Sequence, residues 1–267
     1  MFEERLRQLE ALLDALPGVL VAYSGGVDSA VLLRAAVDRL GDRALGVIAD
    51  SPSLAREELR AATELARAMG ASLEIISTAE LENPDYATNP INRCYFCKSE
   101  LFERMGAFAR RRGFSTLAYG ENADDPPGDR PGSRAAREFQ VRAPLREAGL
   151  TKADVRALAA RWGLSVADKP ASPCLSSRIP HGIPVTREAL ARVEAGEQTV
   201  RALGFRIFRL RHHGDLARFE FASAELDRAL AEPLKSRVIE AALRAGYRDA
   251  EIDPTPYGKR TAALTPP

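Results

Sequence analysis

One stretch of the chain decides its fold: Val19-Leu20-Val21-Ala22-Tyr23-Ser24-Gly25-Gly26-Val27-Asp28-Ser29. Its first half is short, apolar and partly β-branched, which is typical of a buried strand in a parallel sheet. Its second half contains two adjacent glycines, and a helical pattern begins at Ala30. A turn between such a strand and a helix presents backbone N–H groups at the positive end of the helix dipole, and that arrangement binds phosphate. The stretch therefore predicts a phosphate site at a strand-to-helix turn.

The residue types in this turn suit a nucleotide polyphosphate. Gly25 and Gly26 let the backbone approach a ligand closely, while Ser24 and Ser29 can add hydroxyl donors. Asp28 can hold a Mg²⁺ ion that shares the phosphate oxygens. The turn lacks the lysine of a Walker A motif and is too short for a dinucleotide fingerprint. We therefore predict ATP binding by these five residues, with Mg²⁺ as a cofactor.

Strand and helix patterns alternate on both sides of the turn. A helix with leucines at helical spacing comes before it, and further strands are predicted at 45–49, 72–76 and 115–119. Further helices are predicted at 55–69, 102–111 and 151–162. This alternation predicts an α/β fold with a doubly wound parallel sheet, whose ligands bind beyond the carboxyl ends of the strands. Residues 121–133, rich in Asp, Pro and Gly, are predicted to form a mobile surface loop.

The pattern changes after Asp168. Four prolines punctuate the next segment, which we interpret as an extended linker that carries Cys174. A helix and two strands with a hairpin turn follow, and they predict a smaller C-terminal α+β domain. We therefore predict four segments: a first domain at 1–168, a linker at 169–185, a small substrate or oligomerisation domain at 186–257, and a loose tail at 258–267.

The composition excludes several classes of protein. The chain has 267 residues and a formal net charge of +1, so bulk charge gives no case for a nucleic-acid or membrane partner. The N-terminus carries acidic residues and lacks the apolar core of a secretion signal. No apolar run approaches the roughly 20 residues needed to span a bilayer. We therefore expect a cytoplasmic protein without a membrane or nucleic-acid partner.

Three cysteines need a chemical explanation: Cys94, Cys97 and Cys174. A disulfide framework is not expected in a reducing compartment, and an odd number leaves one thiol unpaired. If the segments that carry them lie near the carboxyl edge of the sheet, three thiolates can hold zinc with an open fourth position. They can equally hold an iron–sulfur cluster in which one iron lacks a protein ligand, and a redox pair is a third interpretation. The spacing of the cysteines does not choose between these.

The glycine turn resembles the signature of the PP-loop ATP pyrophosphatases, and the match extends further to the LarE family. The matching strings cover most of the chain: Tyr23 to Ser29, Ser51-Pro52-Ser53-Leu54, Asn89-Pro90 with Arg93 to Lys98, Gly120 to Asp125, Arg130-Pro131-Gly132, and Ser172 to Pro180. This resemblance implies an adenine nucleotide alpha hydrolase-like PP-loop domain. It also implies an ATP-dependent sulfur transferase of nickel-pincer cofactor biosynthesis.

In the reaction that the resemblance implies, a carboxylate of pyridinium-3,5-biscarboxylic acid mononucleotide is adenylated, and sulfur then displaces AMP to give a thiocarboxylate. Some members of the family have one cysteine at the position of Cys174 and sacrifice its sulfur. The additional Cys94 and Cys97 place this sequence with the three-cysteine branch, in which a [4Fe-4S] cluster carries an extra sulfide. The expected cofactors are thus ATP, Mg²⁺ and a [4Fe-4S] cluster, with a sulfur donor that the sequence does not identify.

The resemblance also implies roles for residues outside the glycine turn. Ser51 is expected to bind ATP, and Cys174, Asp28 and Glu197 are expected to be catalytic. The phosphate of the small-molecule nucleotide substrate needs cationic partners, and the expected ligands are Ser177, Arg178, Arg209 and Arg211. The last two are two residues apart on a predicted strand and therefore share one face. Family members form homohexamers, and we carry that expectation over to this chain.

Two other functions compete with this interpretation. One is a PP-loop tRNA thiolase, which also adenylates its substrate and can carry a three-cysteine cluster, but needs a basic RNA-binding surface. The other is a zinc-stabilised ATP-binding protein that transfers no sulfur. An assay that offers both the pyridinium mononucleotide and tRNA as sulfur acceptors tests the first alternative. The metal content of the purified protein tests the second.

Overall fold

The structure is a computed structural model that describes residues 1–126 and 130–258. The predicted tail from residue 259 onward and residues 127–129 of the predicted surface loop lie outside the described residues. The chain forms two compact units. The first unit comprises Met1–Tyr86 and Asn92–Ser172, and the second comprises Ala87–Ile91 and the chain from Pro173 onward. The division after Ser172 falls inside the segment predicted as a linker.

The first unit alternates strands and helices. Its strands are β1 (Val19–Ala22), β2 (Ala44–Asp50), β3 (Leu73–Ser77) and β4 (Leu117–Tyr119). Its helices are α1 (Phe2–Asp14), α2 (Val27–Leu40), α3 (Arg56–Ala68), α4 (Pro84–Ala87, ending at the unit boundary), α5 (Arg93–Arg112), α6 (Pro131–Glu138), α7 (Pro144–Glu147) and α8 (Lys152–Arg161). Within the described part of the chain, no helix is long and apolar enough to cross a membrane.

The four strands form one parallel sheet in the order β3-β2-β1-β4. The chain therefore moves outward from β1 through β2 to β3 and then crosses back to place β4 on the other side of β1. Val21 in β1 pairs with Gly46 in β2 and with Ala118 in β4. The strand order thus reverses between β1 and β4, and this topology confirms the doubly wound parallel sheet predicted from the sequence.

Both faces of the sheet are covered by helices, which explains why β1 is apolar throughout. Val19 and Val21 belong to a core cluster built with α1, α2 and α8. Leu20, between them, points to the opposite face and packs in a second cluster with Phe102 and Met105 of α5. All four residues of β1 are buried. A strand buried on both faces loses the alternation of polar and apolar residues that marks a half-exposed strand.

Two helical segments differ from the sequence-based expectation. Helix α5 begins at Arg93 rather than at Phe102, so it includes both Cys94 and Cys97. Helix α6 begins at Pro131, inside the segment predicted as a surface loop. Proline is favoured at the first position of a helix because its φ angle suits that position and its missing N–H has no partner there. Pro131 therefore begins a helix, although the proline content of this segment had been interpreted as a sign of a loop.

The second unit is built around a three-stranded sheet. Its elements are a 3-10 turn (Leu175–Arg178), α9 (Arg187–Ala202), β5 (Phe208–His213), β6 (Leu216–Phe221), α10 (Ser223–Leu230), α11 (Leu234–Arg244) and β7 (Asp249–Ile252). Strands β5 and β6 are antiparallel, and β7 is parallel to β6. This confirms the smaller α+β domain. Helix α10 was not predicted, since its eight residues give only two turns of periodicity.

A buried asparagine organises the segment after the 3-10 turn. Nδ2 of Asn89 donates to the carbonyl oxygens of Ile179, Pro180 and Ile183 at 3.2, 2.8 and 2.8 Å. Asn89 is fully buried, and its φ of +59° is a left-handed conformation that asparagine tolerates better than most residues. The residues before α5 thus belong to the second unit, which the sequence pattern did not reveal.

Candidate active site

The glycine turn lies at the point where the strand order of the first unit reverses. It connects β1 to α2, and the neighbouring β4 ends at Tyr119 and continues into Gly120 and Asn122. The crevice outside the carboxyl ends of the strands at such a point is where open parallel sheets bind ligands. Gly25 has a φ of +70°, which lets the chain turn from strand to helix. The first turn of α2 then directs its N–H groups outward from the helix end.

Two serines hold the turn in shape. The hydroxyl of Ser29 donates to the carbonyl oxygen of Gly26 at 3.1 Å and accepts from the backbone N–H of Ser24 at 3.1 Å. The hydroxyl oxygens of Ser24 and Ser29 are also 3.1 Å apart. Each serine had been predicted to offer a hydroxyl to phosphate. In this conformation both hydroxyls bond within the turn, so they shape the loop that presents the backbone N–H groups.

Glycine is required at two places because a neighbouring segment lies too close for any side chain. A Cβ at Gly25 would lie 2.5 Å from the Cβ of Ala62. A Cβ at Gly120 would lie 2.6 Å from the backbone nitrogen of Ser29 and 2.8 Å from the carbonyl carbon of Asp28. The end of β4 is therefore in direct contact with the first turn of α2. Position 120 was known from the sequence only as part of a matching string, and its packing role comes from the structure.

Asp28 is bound by two side chains that come from distant parts of the chain. Nδ2 of Asn122 donates to Oδ1 of Asp28 at 3.1 Å. Nζ of Lys152 forms an ion pair with Oδ2 of Asp28. The backbone N–H of Lys152 donates to Asp124 at 2.8 Å, which fixes the start of α8 beside the same site. Asp28, Asn122 and Lys152 therefore form one polar group at the sheet edge.

Sequence reasoning missed Lys152, although one signal was available. Lys152 is the first residue of α8, directly after Thr151, whose side chain and Asp154 form a capping box. The N-terminus of a helix carries partial positive charge and disfavours a cation by itself. A lysine at that position therefore indicates a nearby anion, and in this structure the anion is Asp28.

Ser51, predicted to bind ATP, is buried behind the end of β2. Its hydroxyl donates to Oε1 of Glu80, and its oxygen accepts from the backbone N–H of Ser53 at 2.9 Å. The hydroxyl of Ser53 lies 2.7 Å from that of Tyr86. Ser51 thus belongs to a buried hydroxyl–carboxylate network that supports the loop after β2. Its predicted contact with ATP stays a prediction.

The three cysteines occupy different kinds of position. Cys94 is exposed and Cys97 is half-buried, and both lie near the start of α5, three residues apart on one side of the helix. Cys174 is exposed and comes directly before the 3-10 turn of the second unit. All three are free of disulfide bonds. Across residues 1–126 and 130–258, no three His, Cys, Asp or Glu side chains are grouped so that they could hold a metal ion.

In the second unit, Arg178 and Glu197 form a buried ion pair. Nε and Nη2 of Arg178 donate to the two carboxylate oxygens of Glu197 at 2.8 and 3.0 Å. Both residues are almost fully buried. Burial by itself raises the pKa of Glu197, but the hydrogen bonds and charge of Arg178, the charge of Arg201 and the backbone N–H of Leu210 outweigh it and hold that pKa below its ordinary value. Glu197 is therefore a carboxylate at neutral pH.

Arg209 and Arg211 lie on one face of β5, as their spacing predicted. Their guanidinium carbons are 5.0 and 5.8 Å from the ring centroid of Tyr257. Nε of Arg211 donates to Glu220 at 2.9 Å. The pKa of Arg209 is lowered, mainly by burial and then by the nearby charge of Arg178. A cation destabilised in this way is stabilised by a bound anion, so this face suits a phosphate group.

The sequence of the chain is similar to those of known proteins over nearly its whole length. No known family model matches it. It is 39% identical over 267 residues to an uncharacterised protein of Synechocystis sp., covering 99% of this chain and 100% of that protein. It is 26% identical over 235 residues to an uncharacterised protein of Methanocaldococcus jannaschii, covering 88% of each.

A further relative carries a named activity. The chain is 35% identical over 246 residues to the pyridinium-3,5-bisthiocarboxylic acid mononucleotide synthase of Lactiplantibacillus plantarum, covering 92% of this chain and 88% of that enzyme. Identity at this level over this length, together with the glycine turn at the switch point of a parallel sheet, establishes the family. The chain belongs to the LarE family, whose members are enzymes of the pyridinium-3,5-bisthiocarboxylic acid mononucleotide synthase type.

Proposed function

We propose that this enzyme uses ATP to adenylate a carboxylate of pyridinium-3,5-biscarboxylic acid mononucleotide and then replaces the AMP with sulfur. The observation that carries the proposal is the glycine turn at the β1–β4 switch point, with Asp28 held beside it by Asn122 and Lys152. The named activity of the Lactiplantibacillus plantarum relative supports the choice of substrate. Adenylation is chemically necessary because a free carboxylate is a poor acyl donor, whereas an acyl-adenylate has AMP as a good leaving group.

In the first step, the carboxylate oxygen of the substrate attacks the α-phosphorus of ATP and pyrophosphate leaves. The N–H groups of the glycine turn and of the first turn of α2 are proposed to bind the β,γ-pyrophosphate. The carboxylate of Asp28 is a hard oxygen ligand of the kind that Mg²⁺ prefers, so this residue fits the predicted ion. Lys152 supplies a positive charge next to Asp28 that can stabilise the negative charge gathering on the leaving pyrophosphate.

In the second step, a sulfur nucleophile attacks the carbonyl carbon of the acyl-adenylate and AMP leaves. Cys174 is proposed as the residue that handles this sulfur, because it is exposed on a turn whose main chain is well bonded. The face formed by Ser177, Arg209 and Arg211 is proposed to bind the phosphate of the substrate. Two arginines stacked over one aromatic ring support this assignment, since a phosphate accepts the paired N–H groups of a guanidinium.

We also propose that the cysteines hold a [4Fe-4S] cluster. Thiolate ligands favour iron–sulfur chemistry or zinc over magnesium-type ions, and Cys94 and Cys97 are one helical turn apart. Anaerobically purified protein should then be brown and contain iron and acid-labile sulfide. A colourless protein with stoichiometric zinc after cluster reconstitution would contradict the cluster. A homohexamer is proposed from the family resemblance alone, and sedimentation measurements of the purified chain test it.

The decisive experiment supplies the anaerobic enzyme with ATP and the pyridinium mononucleotide and follows the substrate by mass spectrometry. We expect AMP and pyrophosphate release that depends on the substrate, together with exchange of a carboxylate oxygen for sulfur. Asp28→Ala should abolish the release of AMP. Sulfur transfer only to tRNA in a parallel reaction would replace the proposal with the competing thiolase. ATP binding without AMP release on either substrate would exclude both.

A further inference from the structure

The main chain around Cys174 is bonded by a single buried side chain. Nη1 of Arg178 donates to the carbonyl oxygens of Pro173, at 2.5 Å, and of Cys174, at 3.1 Å. The same nitrogen lies 3.0 Å from the hydroxyl oxygen of Ser177. Arg178 is 2% exposed, so these contacts are made away from water. The carbonyl group of Cys174 is therefore fixed from inside the second unit, although the residue as a whole is exposed.

The opposite edge of the same guanidinium is fixed by Glu197. The two residues form the two parallel hydrogen bonds of a fork, which sets the orientation of the guanidinium plane as well as its position. Glu197 is in turn held by the backbone N–H of Leu210 in β5 at 3.2 Å and by Nη2 of Arg201 at 3.1 Å. Contacts from β5 and α9 thus orient Glu197, Glu197 orients the guanidinium of Arg178, and Arg178 orients the main chain of Cys174.

The contacts of Arg178 conflict with its predicted role as a phosphate ligand. Each of its three nitrogens already has a protein acceptor, and two of those acceptors are oxygens of a buried carboxylate. A phosphate would have to displace these bonds inside a buried site and would leave Glu197 without its main partner. Breaking a buried ion pair in this way is strongly unfavourable. Arg211 also bonds a carboxylate, that of Glu220, but 28% of its side chain is exposed, against 2% for Arg178.

We propose that Arg178 and Glu197 form a clamp that positions the Cys174 turn for sulfur transfer. In this arrangement both are positioning residues: Arg178 does not bind the substrate phosphate, and Glu197 does not act on the reacting atoms. The proposal deepens the proposed function, because it rests on Cys174 being the residue that handles sulfur. It also gives a reason for a charged pair at this depth, since hydrophobic packing cannot hold two successive carbonyl groups in a chosen direction.

Other bonds of the turn agree with this role. The backbone N–H of Ser177 donates to the carbonyl oxygen of Cys174 at 2.9 Å, so that oxygen has two donors. Nη1 of Arg211 donates to the carbonyl oxygen of Ser177 at 3.0 Å. The backbone N–H of Ile179 donates to the carbonyl oxygen of Ser176 at 3.1 Å and closes the turn. The segment has only one short turn of regular structure, yet the side chains of Arg178 and Arg211 and two backbone hydrogen bonds fix its conformation.

Arg178→Lys is the discriminating variant, and Arg244→Lys, the same change at a surface ion pair, is its matched control. Lysine keeps the positive charge opposite Glu197, but one ammonium group cannot span both the carboxylate and the carbonyl oxygens. Arg244 is the last residue of α11 and pairs with Glu240 on the surface, where 71% of its side chain is exposed. Both variants are tested as full chains in two half-reactions: substrate-dependent pyrophosphate exchange for adenylation, and thiocarboxylate formation for sulfur transfer.

The clamp predicts that the two half-reactions separate. In Arg178→Lys, thiocarboxylate formation should slow by about tenfold, which corresponds to about 1.4 kcal/mol. Pyrophosphate exchange should keep its rate and its KM for the pyridinium substrate, and Arg244→Lys should behave as the wild type in both half-reactions. A rise of that KM in both half-reactions would make Arg178 a phosphate ligand and overturn the clamp. A proportional loss of both rates at constant KM would indicate a merely structural role and would also overturn it.

A second measurement does not depend on turnover. Amide hydrogen exchange, followed by mass spectrometry on the unliganded chain, reports the bonds of Ser177 and Ile179 directly. Exchange in the peptide that contains them should be about tenfold faster in Arg178→Lys than in the wild type or Arg244→Lys. Unchanged exchange would refute the clamp whatever the activities are. If the proposed function itself is wrong, the wild-type enzyme will form no thiocarboxylate, a result that is distinct from any difference between the variants.

Discussion

A methyl group at position 120 tests whether the contact between β4 and α2 shapes the ATP loop. In Gly120→Ala, the new Cβ would lie 2.6 Å from the backbone nitrogen of Ser29 and 2.8 Å from the carbonyl carbon of Asp28. Both atoms belong to the main chain of α2, so they cannot rotate away as the end of a long side chain would. Since nonbonded carbon atoms pack at roughly 3.5 to 4.0 Å, β4 and the loop must separate by about 1 Å.

This displacement sets the expected magnitudes. Inserting a methyl group into a packed interior costs about 1 to 3 kcal/mol, so we expect the free energy of unfolding to fall by about 2 kcal/mol. Movement of a catalytic loop by about 1 Å can lower a rate about 100-fold. The kcat/KM for ATP in substrate-dependent pyrophosphate exchange should therefore fall by about 100-fold at a temperature where the variant is folded.

Gly106→Ala is the matched control. Gly106 lies within α5, and a Cβ there would meet only Nη1 of Arg110, at 3.7 Å. Alanine is more stable than glycine inside a helix by about 0.5 to 1 kcal/mol, so this variant should be slightly stabilised and fully active. Urea unfolding gives the stability of both variants, and pyrophosphate exchange with titrated ATP gives the kinetics. If Gly120→Ala keeps the stability and the KM for ATP of the wild type, the close approach has no functional role.

Three further predictions concern the charged groups. Asp28→Asn retains the size of the side chain but not its charge, so pyrophosphate exchange should fall by about 100-fold while the melting temperature changes little; an active variant would exclude Asp28 as a Mg²⁺ ligand. Tyr257→Leu removes the ring beneath Arg209 and should raise the KM for the pyridinium substrate severalfold, whereas Tyr257→Phe should not, because a cation–π contact needs only the ring. The pKa of Glu197 is lowered in the folded state, so its ion pair stabilises fully above about pH 4.3, the ordinary value for glutamate, and loses this contribution as the pH falls through the lower folded pKa. In Glu197→Gln, the free energy of unfolding, measured by urea denaturation, should therefore fall by about 3 to 5 kcal/mol at pH 7 and by progressively less below about pH 4. A loss that does not depend on pH would contradict the pairing with Arg178.

The elements of the sheet were predictable because their signals are local. An apolar run of strand length, followed by two glycines and a helical period, describes β1, the turn and the start of α2 without any knowledge of the rest of the chain. The alternation of such units then implies a parallel sheet, since each crossover needs a helix. The start of α5 was missed because Cys94, Tyr95 and Phe96 give no helical period of their own.

The sequence by itself determined the doubly wound sheet, the place of the glycine turn on it, and the family of the enzyme. The tertiary structure decided which side chains meet. Lys152 reaches Asp28 from 124 residues away, and Arg178 pairs with Glu197 in the interior of the second unit. A hydrophobic period records which face of an element is buried, but it holds no information about which polar groups from two elements become neighbours. That choice depends on packing, because a buried charge is stable only where its partner is brought within hydrogen-bonding distance.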